Sequence, residues 1–260
     1  AQGYTVKRNY TMGYAGDPTT FDVLATSNSV DSEILVNTYD GLMEYDEMGI
    51  LQPAIAESYE VSEDGLTYTF HLRDDVSWYT RSGTRYAGVT ADDFVAGFQH
   101  MLDSDGSPNY LVDGLIVGAH DYIGGTLTDF SQVGVKAIDD YTLVYTLEQE
   151  APYFITMLGY SVFAPMNRAF FTAQGGEFGA DFDPTYGGSA EGYGTSADTI
   201  LYCGPYLITN YTQSSTIQFS AYDGYYNRDH INLDTITWHF NDGTNDLQAY
   251  NQIKDGTLDG

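Results

Sequence analysis

The 260-residue chain is 42% hydrophobic and 15% aromatic, enough apolar surface for a core in one large domain or in two of ordinary size. It is strongly acidic, because 37 Asp and Glu residues outnumber 9 Lys and Arg residues, for a net charge of -28. Such a surface repels nucleic acid phosphates and anionic lipid, so neither is an expected partner. The acid is spread along the chain, which favours a solvated surface suited to high salt, a cell wall or another exposed setting; steering of a cationic ligand is the alternative.

The first predicted elements are a strand at residues 4 to 14 and a short helix that ends near Tyr39. From Asp40 to about Ala164 the pattern is mostly of strands, with one clear helix at residues 89 to 103. That helix has Thr90 as its cap and an acid three residues later, as in a capping box, and its apolar residues recur at helical spacing and are assigned to the core.

Two hairpins are predicted in this strand-rich region. Residues 67 to 73 alternate strictly, with Tyr68, Phe70 and Leu72 on one side, which is typical of a half-buried strand. Residues 133 to 154 form the second hairpin, with Asp139-Asp140 at its turn. We expect the two hairpins to pair in one sheet.

The last third of the chain begins with a long segment that has neither a strand nor a helix pattern. Residues 173 to 198 are rich in Gly and acid and show no period, which predicts a long surface loop. Three strands follow, in CGPYLITNY, STIQFSAY and LDTITWHF, and then a helix in NDLQAYNQIKDGTLDG with Gly256 as its stop. Because Leu258 opens another element there, we expect the chain to be a fragment of a longer protein.

No segment approaches the roughly 18 consecutive apolar residues of a membrane helix, and the opening AQGYTVKRNY lacks the apolar core of a signal peptide. Cys203 is the single cysteine, which excludes an internal disulfide and a zinc site built on paired cysteines. It has no cation nearby in sequence to stabilise a thiolate, so we interpret it as a buried thiol or as pocket lining.

Catalysis needs a nucleophile, a base and an orienting group together, and the sequence offers little material for such a set. The five histidines are scattered, and acidic pairs such as Asp74-Asp75 have plainer roles at turns and helix starts. Residues 181 to 192 place oxygens at alternate positions as a calcium loop does, but Tyr186 and Gly192 replace the Gly and the bidentate Glu of that loop. We therefore favour a flexible acidic loop there, with a bound calcium as the alternative, and predict no enzyme activity, no assigned metal ligands and no cofactor.

One run of motifs does indicate a family. Residues 56 to 78, AESYEVSEDGLTYTFHLRDDVSW, resemble the signature of the extracellular solute-binding proteins of the peptide and nickel class, the oligopeptide-binding family that serves ABC importers. The resemblance continues in order through nearly the whole chain, in YDGLMEYDEMGILQPAIAESY, VTADDFVAGFQHMLD, VKAIDDYTLVYTLEQEAPYF, CGPYLITNY and YNQIKDGTLDG. Members of that family are considerably longer, so the resemblance implies that this chain is the N-terminal portion.

The resemblance implies an α/β fold: a periplasmic-binding-protein-like lobe (type II, cluster C) with an inserted mixed α+β domain. Residues 1 to 38 and 165 to 260 would form the first lobe, and residues 39 to 164 the insertion that carries the signature. The second lobe would be missing from this chain. The resemblance thus implies that the regular segment at residues 56 to 78, which carries no catalytic group, supports the wall of the ligand cleft.

Site residues follow from the same resemblance. It implies that Ser27, Asn28 and Ser29 approach the ligand, that Tyr110 lies near an aromatic pocket wall, and that Tyr202, Cys203 and Gly204 form a strand edge that meets peptide backbone. Two residues depart from the family: Ser27 stands where some relatives have an acid, and Cys203 replaces a polar Asn or Thr. The ligand preference is therefore open.

The function implied is that of a monomeric, extracytoplasmic receptor, a cell-surface lipoprotein or a periplasmic protein, that binds short peptides between two lobes and delivers them to an ABC permease. Three alternatives are left open. The first is a different cargo in the same family, such as a nickel chelate, a sugar or a haem-like compound. The others are a carbohydrate-active enzyme of the cell surface and a sensory or adhesive descendant that has lost transport.

Overall fold

A computed structural model describes residues 7–185, 191–244 and 247–260. Its strands are β1 (Asn9–Tyr14), β2 (Met43–Tyr45), β3 (Leu51–Pro53), β4 (Ala56–Val61), β5 (Thr67–Leu72), β6 (Ser77–Tyr79), β7 (Arg85–Gly88), β8 (Val135–Asp139), β9 (Thr142–Thr146), β10 (Tyr206–Thr212), β11 (Thr216–Ala221) and β12 (Thr235–Phe240). Its α-helices are α1 (Ser29–Leu35), α2 (Ala91–Asp103), α3 (Ala119–Ile123), α4 (Phe154–Met157), α5 (Arg168–Ala173) and α6 (Gln248–Asp255).

The first sheet has the strand order β1-β12-β11-β10. β1 is parallel to β12, whereas β12, β11 and β10 are successively antiparallel. Its buried face includes Tyr14, Phe219 and Trp238, which pack on one another. The three predicted C-terminal strands are confirmed, as is the first strand from Asn9 onward; residues 4 to 6 of that prediction lie outside the described residues.

The second sheet is antiparallel, in the order β4-β5-β9-β8. Phe70 of β5 lies opposite Leu143 of β9, and both side chains are fully buried. The predicted half-buried strand is confirmed, because Tyr68, Phe70 and Leu72 are buried while the residues between them are partly exposed. The predicted pairing of the two hairpins is also confirmed, through β5 and β9.

Helix α2 packs under this second sheet. The backbone N–H of Thr90 donates to the carboxylate of Asp93 over 2.8 Å, which is the interaction expected of a capping acid. Phe94, Phe98 and Met101 are buried in the larger core, as their spacing predicted. Helix α1, in contrast, ends at Leu35, several residues before the predicted end near Tyr39.

The segment at residues 173 to 198 is more ordered than a surface loop. It contains a 3-10 turn at Gly179–Asp181, and Ala197 is buried. The backbone N–H of Phe21 donates to the carbonyl of Gly194 over 2.7 Å, which ties the segment to the N-terminal part of the chain. The described part of residues 174 to 198 has no α-helix or strand, which agrees with the predicted loop, but Gly192, Gly194 and Ala197 are buried, so that this end of the loop does not lie at the surface. The calcium-like stretch at 181 to 192 lies partly outside the described residues.

Strand β6, which pairs with β7 in a separate two-stranded sheet, also bridges to the segment that precedes β10. Tyr79 and Tyr202 exchange backbone hydrogen bonds of 2.8 and 2.9 Å, as in an antiparallel bridge. The core of the second sheet also includes Phe170 and Phe171 of α5. The division into 1 to 38 plus 165 to 260 and 39 to 164 stays a prediction, and side chains from both sides of residue 165 share this core.

The C-terminal helix α6 ends as predicted, with Gly256 in the left-handed region at φ 79°. Leu258 is then buried, and the N–H of Asp259 donates to the carbonyl of Thr11 in β1 over 2.8 Å. Among the helices of the described residues the longest, α2, has 13 residues, and none is long and apolar enough to cross a membrane.

Candidate functional site

An open groove of about 620 Å³ lies between α1 and two segments of the strand-rich region. Its lining is largely apolar, with hydroxyl groups and one carboxylate. The lining residues are Ser29, Ser32, Glu33, Val36, Tyr39, Pro108, Leu111, Gly159, Tyr160, Ser161 and Val162. Clefts of this size and composition are the usual sites of small-molecule and peptide binding.

Hydrogen bonds hold helix α1, which forms one wall of the groove, in its position. The side chain of Asn28 caps the helix by accepting from the N–H of Val30 over 2.9 Å. Asp31, fully buried on the other side, accepts hydrogen bonds from the N–H of Thr19 at 2.7 Å and the hydroxyl of Thr26 at 2.8 Å. Because Asp31 ties the inner face of the helix to the chain before it, the outer face stays turned to the groove.

On the opposite side Tyr160 lines the groove, and Tyr110 stands between two lining residues, Pro108 and Leu111. Tyr110 lies in a 3-10 turn, Asn109–Leu111, and is 70% exposed, and Tyr160 is 55% exposed. The turn is held to the end of α2 by Ser107, whose hydroxyl lies 2.6 Å from the carbonyl of Met101. Exposed tyrosines on a fixed backbone are suited to binding, since each offers an apolar ring and a hydroxyl.

The structure brings some of the predicted site residues together at this groove. Ser29 lines it, Ser27 and Asn28 are exposed immediately before Ser29, and Tyr110 lies between two lining residues, Pro108 and Leu111. Of these four residues only Ser29 lines the groove itself, and the predicted roles of Ser27, Asn28 and Tyr110 at a ligand stay predictions.

Tyr202, Cys203 and Gly204 lie elsewhere, in the interior. All three are buried, and the N–H groups of Cys203 and Gly204 donate to the carbonyl of Thr38 at 3.1 and 3.0 Å. The hydroxyl of Tyr202 donates to the carbonyl of Ala197 at 2.7 Å. In this structure their amides are therefore already used within the chain, and the predicted contact of this edge with a peptide backbone stays a prediction.

The thiol of Cys203 is in surroundings that suppress ionisation. Burial raises the pKa of Cys203 well above its ordinary value, and the nearby Asp40 carboxylate acts in the same direction. A thiol held in its neutral form is a poor nucleophile and a poor metal ligand. This agrees with the interpretation of Cys203 as a buried thiol.

Sequence reasoning missed several residues of the groove, notably Glu33, Val36 and Tyr160. Ser29, Ser32, Glu33 and Val36 follow the spacing of one helix face, so that a helical projection of α1 held a signal for them. No comparable signal exists for Tyr160, because its place depends on how residues 159 to 162 fold back toward α1. Within residues 7–185, 191–244 and 247–260, no group of three or more potential metal-ligating side chains is found.

Comparisons with known proteins give the family. Residues 51–260 match the model of the bacterial extracellular solute-binding proteins, family 5, middle region. The chain belongs to this family. Its members are solute-binding proteins and not enzymes, which agrees with the prediction that the chain lacks enzyme activity and excludes the carbohydrate-active alternative.

Two of the similar relatives are named as oligopeptide-binding proteins. The chain is 42% identical over 235 residues to the oligopeptide-binding protein AmiA of Streptococcus pneumoniae, a match that covers 90% of the chain and 34% of AmiA. It is 34% identical over 252 residues to AliA, an oligopeptide-binding protein of the same species, covering 97% of the chain and 36% of AliA. The chain thus spans about a third of the length of the curated relatives it matches.

The fold is likewise shared with a solved structure, that of the substrate-binding domain of an oligopeptide ABC transporter from Bacillus anthracis. The two are 29% identical with a TM-score of 0.82, and the match covers 98% of the chain and 45% of that structure. This establishes a mixed α/β fold that corresponds to part of an oligopeptide-binding protein.

Proposed function

We propose that this chain is the N-terminal portion of the substrate-binding component of an ABC importer and that it contributes one wall of a cleft for short peptides. The observation that carries the proposal is the groove, where Ser29 of α1 faces the segment around Tyr110. Both elements were expected at the ligand from the family resemblance alone. The likeness to relatives named as oligopeptide-binding proteins supports peptide as the cargo.

The finer architecture is part of the same proposal. The chain forms a periplasmic-binding-protein-like lobe of type II, cluster C, with residues 39 to 164 inserted, and a second lobe closes over the groove in the intact protein. In such a cleft the ligand stabilises the closed form by its differential affinity for the closed over the open state. The peptide backbone is held by strand-like hydrogen bonds, and side chains enter roomy pockets.

The groove itself has the chemistry that this role needs. The Ser29 hydroxyl can donate and accept hydrogen bonds, and the Ser32 hydroxyl, which donates to the carbonyl of Asn28 at 3.2 Å, can accept, which suits peptide amides. Val36, Leu111 and Val162 offer apolar surface for side chains of varied size. Such a surface binds many sequences with little discrimination by shape, as a nutrient receptor requires.

Location and partners complete the proposal. The protein works outside the cytoplasm as a monomer, as a cell-surface lipoprotein or in a periplasm, and it delivers its cargo to the membrane permease of an ABC importer. Membership of a family of extracellular solute-binding proteins supports this placement. The net charge of -28 argues against nucleic acid as a partner.

Native mass spectrometry of the intact native protein that contains these 260 residues, purified from a peptide-rich medium and compared with the same sample denatured, tests the proposal. We expect a series of excess masses that sequence as short peptides. A single discrete non-peptide mass would move the assignment to another cargo within the family. The absence of any excess mass after addition of peptide mixtures would overturn the ligand-binding function.

A further inference from the structure

The carboxylate of Glu33 introduces a charge into an otherwise neutral groove. Among the lining residues, all within the described part of the chain, Glu33 is the one with an acidic side chain, and none is Lys or Arg. Glu33 is exposed on the outer face of α1, one helical turn from Ser29. An unneutralised carboxylate beside apolar surface attracts a cationic ligand group more strongly than it would in bulk water.

Most of the nine Lys and Arg residues of the chain are paired elsewhere. Six of its basic residues lie in ion pairs with acids, and Glu33 forms none among the described residues. The paired residues are Lys7, Arg8, Arg73, Arg81, Arg168 and Arg228. Among the described residues no ion pair neutralises the Glu33 carboxylate, which leaves it open to a cationic group of a ligand.

The tyrosines of the groove favour the same kind of ligand. Tyr39 and Tyr160 line the groove, and more than half of the Tyr160 surface is exposed. The face of a tyrosine ring attracts a Lys or Arg side chain. The chain makes one such contact itself, with the Arg73 guanidinium 4.9 Å from the centroid of the Tyr226 ring.

We propose that this groove selects peptides with a cationic side chain, and that Glu33 is the residue that determines the preference. The proposal rests on the proposed function, since it names the class of peptide that the same site takes. The groove holds the aliphatic stem of a Lys or Arg residue against Val36 and Tyr160, and the charged end lies at the Glu33 carboxylate. Long basic side chains suit this arrangement because their stems are apolar and only their ends are charged.

The test uses the intact native protein and a set of short alanine peptides in which each position in turn carries lysine, norleucine or glutamate, with affinities measured by calorimetry. Norleucine matches the apolar stem of lysine without its charge. At the position that meets this groove we expect lysine to bind roughly five- to tenfold more tightly than norleucine, and glutamate more weakly than either. The preference for lysine should shrink as salt is raised, because screening weakens the pair.

Three variants assign the preference. Glu33→Gln should reduce the lysine preference to less than about twofold while leaving norleucine peptides unaffected, and Glu33→Lys should transfer the preference to glutamate. Glu63→Gln is the control, since it removes an equal charge from an exposed turn that does not line the groove. Equal binding of lysine and norleucine peptides at every position, or a preference that survives Glu33→Gln, overturns this inference and leaves peptide binding standing. Failure of all peptides to bind overturns the proposed function itself.

Discussion

The hydroxyl of Tyr225 donates a 2.7 Å hydrogen bond to Oδ2 of Asp40, and both residues are buried. They come from distant parts of the chain: Asp40 lies just before the strand-rich region, and Tyr225 follows β11 of the first sheet. Their contact therefore joins the two sheet regions. Burial raises the pKa of the Asp40 carboxyl to about 7, an effect that the hydrogen bond from Tyr225 opposes and the half-buried Glu44 reinforces.

Asp40→Asn is expected to make the protein more stable at neutral and alkaline pH. The raised pKa means that the folded state holds a proton that the unfolded state has lost between about pH 4 and 7, so the stability of the native protein falls as pH rises through that range. The asparagine cannot ionise and escapes this loss. Chemical denaturation at pH 5 and pH 8 measures the free energy of unfolding of both proteins. The difference between the variant and the native protein should shift in favour of the variant from pH 5 to pH 8, by on the order of a few kcal/mol at most.

The control for this prediction is Asp46→Asn, because the carboxyl of Asp46 changes the stability of the protein with pH in the opposite direction. Asp46 is partly exposed and accepts a hydrogen bond from the N–H of Ile50 at 2.9 Å, which lowers the pKa of its carboxyl. Its ionised form contributes stability above its ordinary pKa that is lost as pH falls through the lowered one. A pH profile for Asp40→Asn that parallels the native protein's would show that Asp40 does not titrate as described.

Much of the fold could be predicted because it is encoded in local patterns. The alternation of apolar and polar residues predicted β5 and β9 and their buried faces. A capping residue followed by an acid three residues later predicted the start of α2. The segment around Ala197 could not be predicted, since its burial comes from contacts with distant residues near Phe21 and leaves no period in the sequence. The spacing of apolar residues in a strand or helix shows which of its faces is buried. It does not show which distant segment of the chain covers that face.

The residues of the candidate site could likewise be predicted only in part from the sequence. The family motifs indicated Ser29 and Tyr110; Ser29 lines the groove, and Tyr110 stands between two lining residues, Pro108 and Leu111. The same motifs indicated Tyr202 and Gly204, which are buried here with their amides bonded inside the chain. Burial of this kind depends on Thr38 and Tyr79, whose positions no sequence spacing shows. Glu33, in turn, was missed because a single exposed acid is unremarkable among 37 acidic residues.

Tyr145→Phe is expected to leave stability unchanged or to raise it by about 1 kcal/mol. The Tyr145 side chain is fully buried among the rings of Phe70, Phe98 and Phe154, and its hydroxyl has no hydrogen-bond partner among the described residues. Removing an unpaired hydroxyl from an apolar core removes its desolvation cost and keeps the ring contacts. The free energy of unfolding, from denaturant titration, is the measurement.

Tyr202→Phe is the matched change with the opposite expectation. Tyr202 is equally buried, but its hydroxyl donates to the carbonyl of Ala197 over 2.7 Å. Phenylalanine would leave that carbonyl without its donor, at a cost of about 1 kcal/mol. Equal effects at the two positions would contradict this account of the two hydroxyl groups.

Gly204→Ala is expected to destabilise the protein by roughly 1 to 3 kcal/mol, the usual cost of overpacking. A Cβ atom at Gly204 would lie 2.7 Å from the carbonyl carbon of Thr38 and closer still to the backbone nitrogen of Tyr39. Backbone atoms cannot move aside as a flexible side chain would. Gly13→Ala serves as the control in a thermal unfolding series, because its added Cβ would meet nothing nearer than 3.8 Å. A melting temperature for Gly204→Ala equal to that of Gly13→Ala would count against the close approach.

Arg81 protects the open edge of the first sheet, because β10 is an outer strand of that sheet. Its guanidinium donates to the carbonyls of Ile208 at 2.7 Å and Thr209 at 3.2 Å, and it pairs with Asp198 at 2.6 Å. Arg81→Ala removes donors from these carbonyls and uncovers the edge, so we expect a loss of about 2 kcal/mol in stability and a greater tendency to aggregate.

Two further variants separate the fork geometry of Arg81 from its charge. Arg81→Lys keeps the charge but cannot reach both carbonyls with a planar fork, so it should recover only part of the stability. Arg85→Ala removes an exposed arginine whose Nε donates to the hydroxyl of Ser77 at 3.0 Å, and surface changes of this kind cost less than about 0.5 kcal/mol. Denaturant unfolding measures stability, and light scattering at elevated temperature measures aggregation. If Arg81→Ala and Arg85→Ala behave alike in both, the edge of β10 does not depend on Arg81, and its protection must come from the twist and the bulge between Ile208 and Asn210 instead.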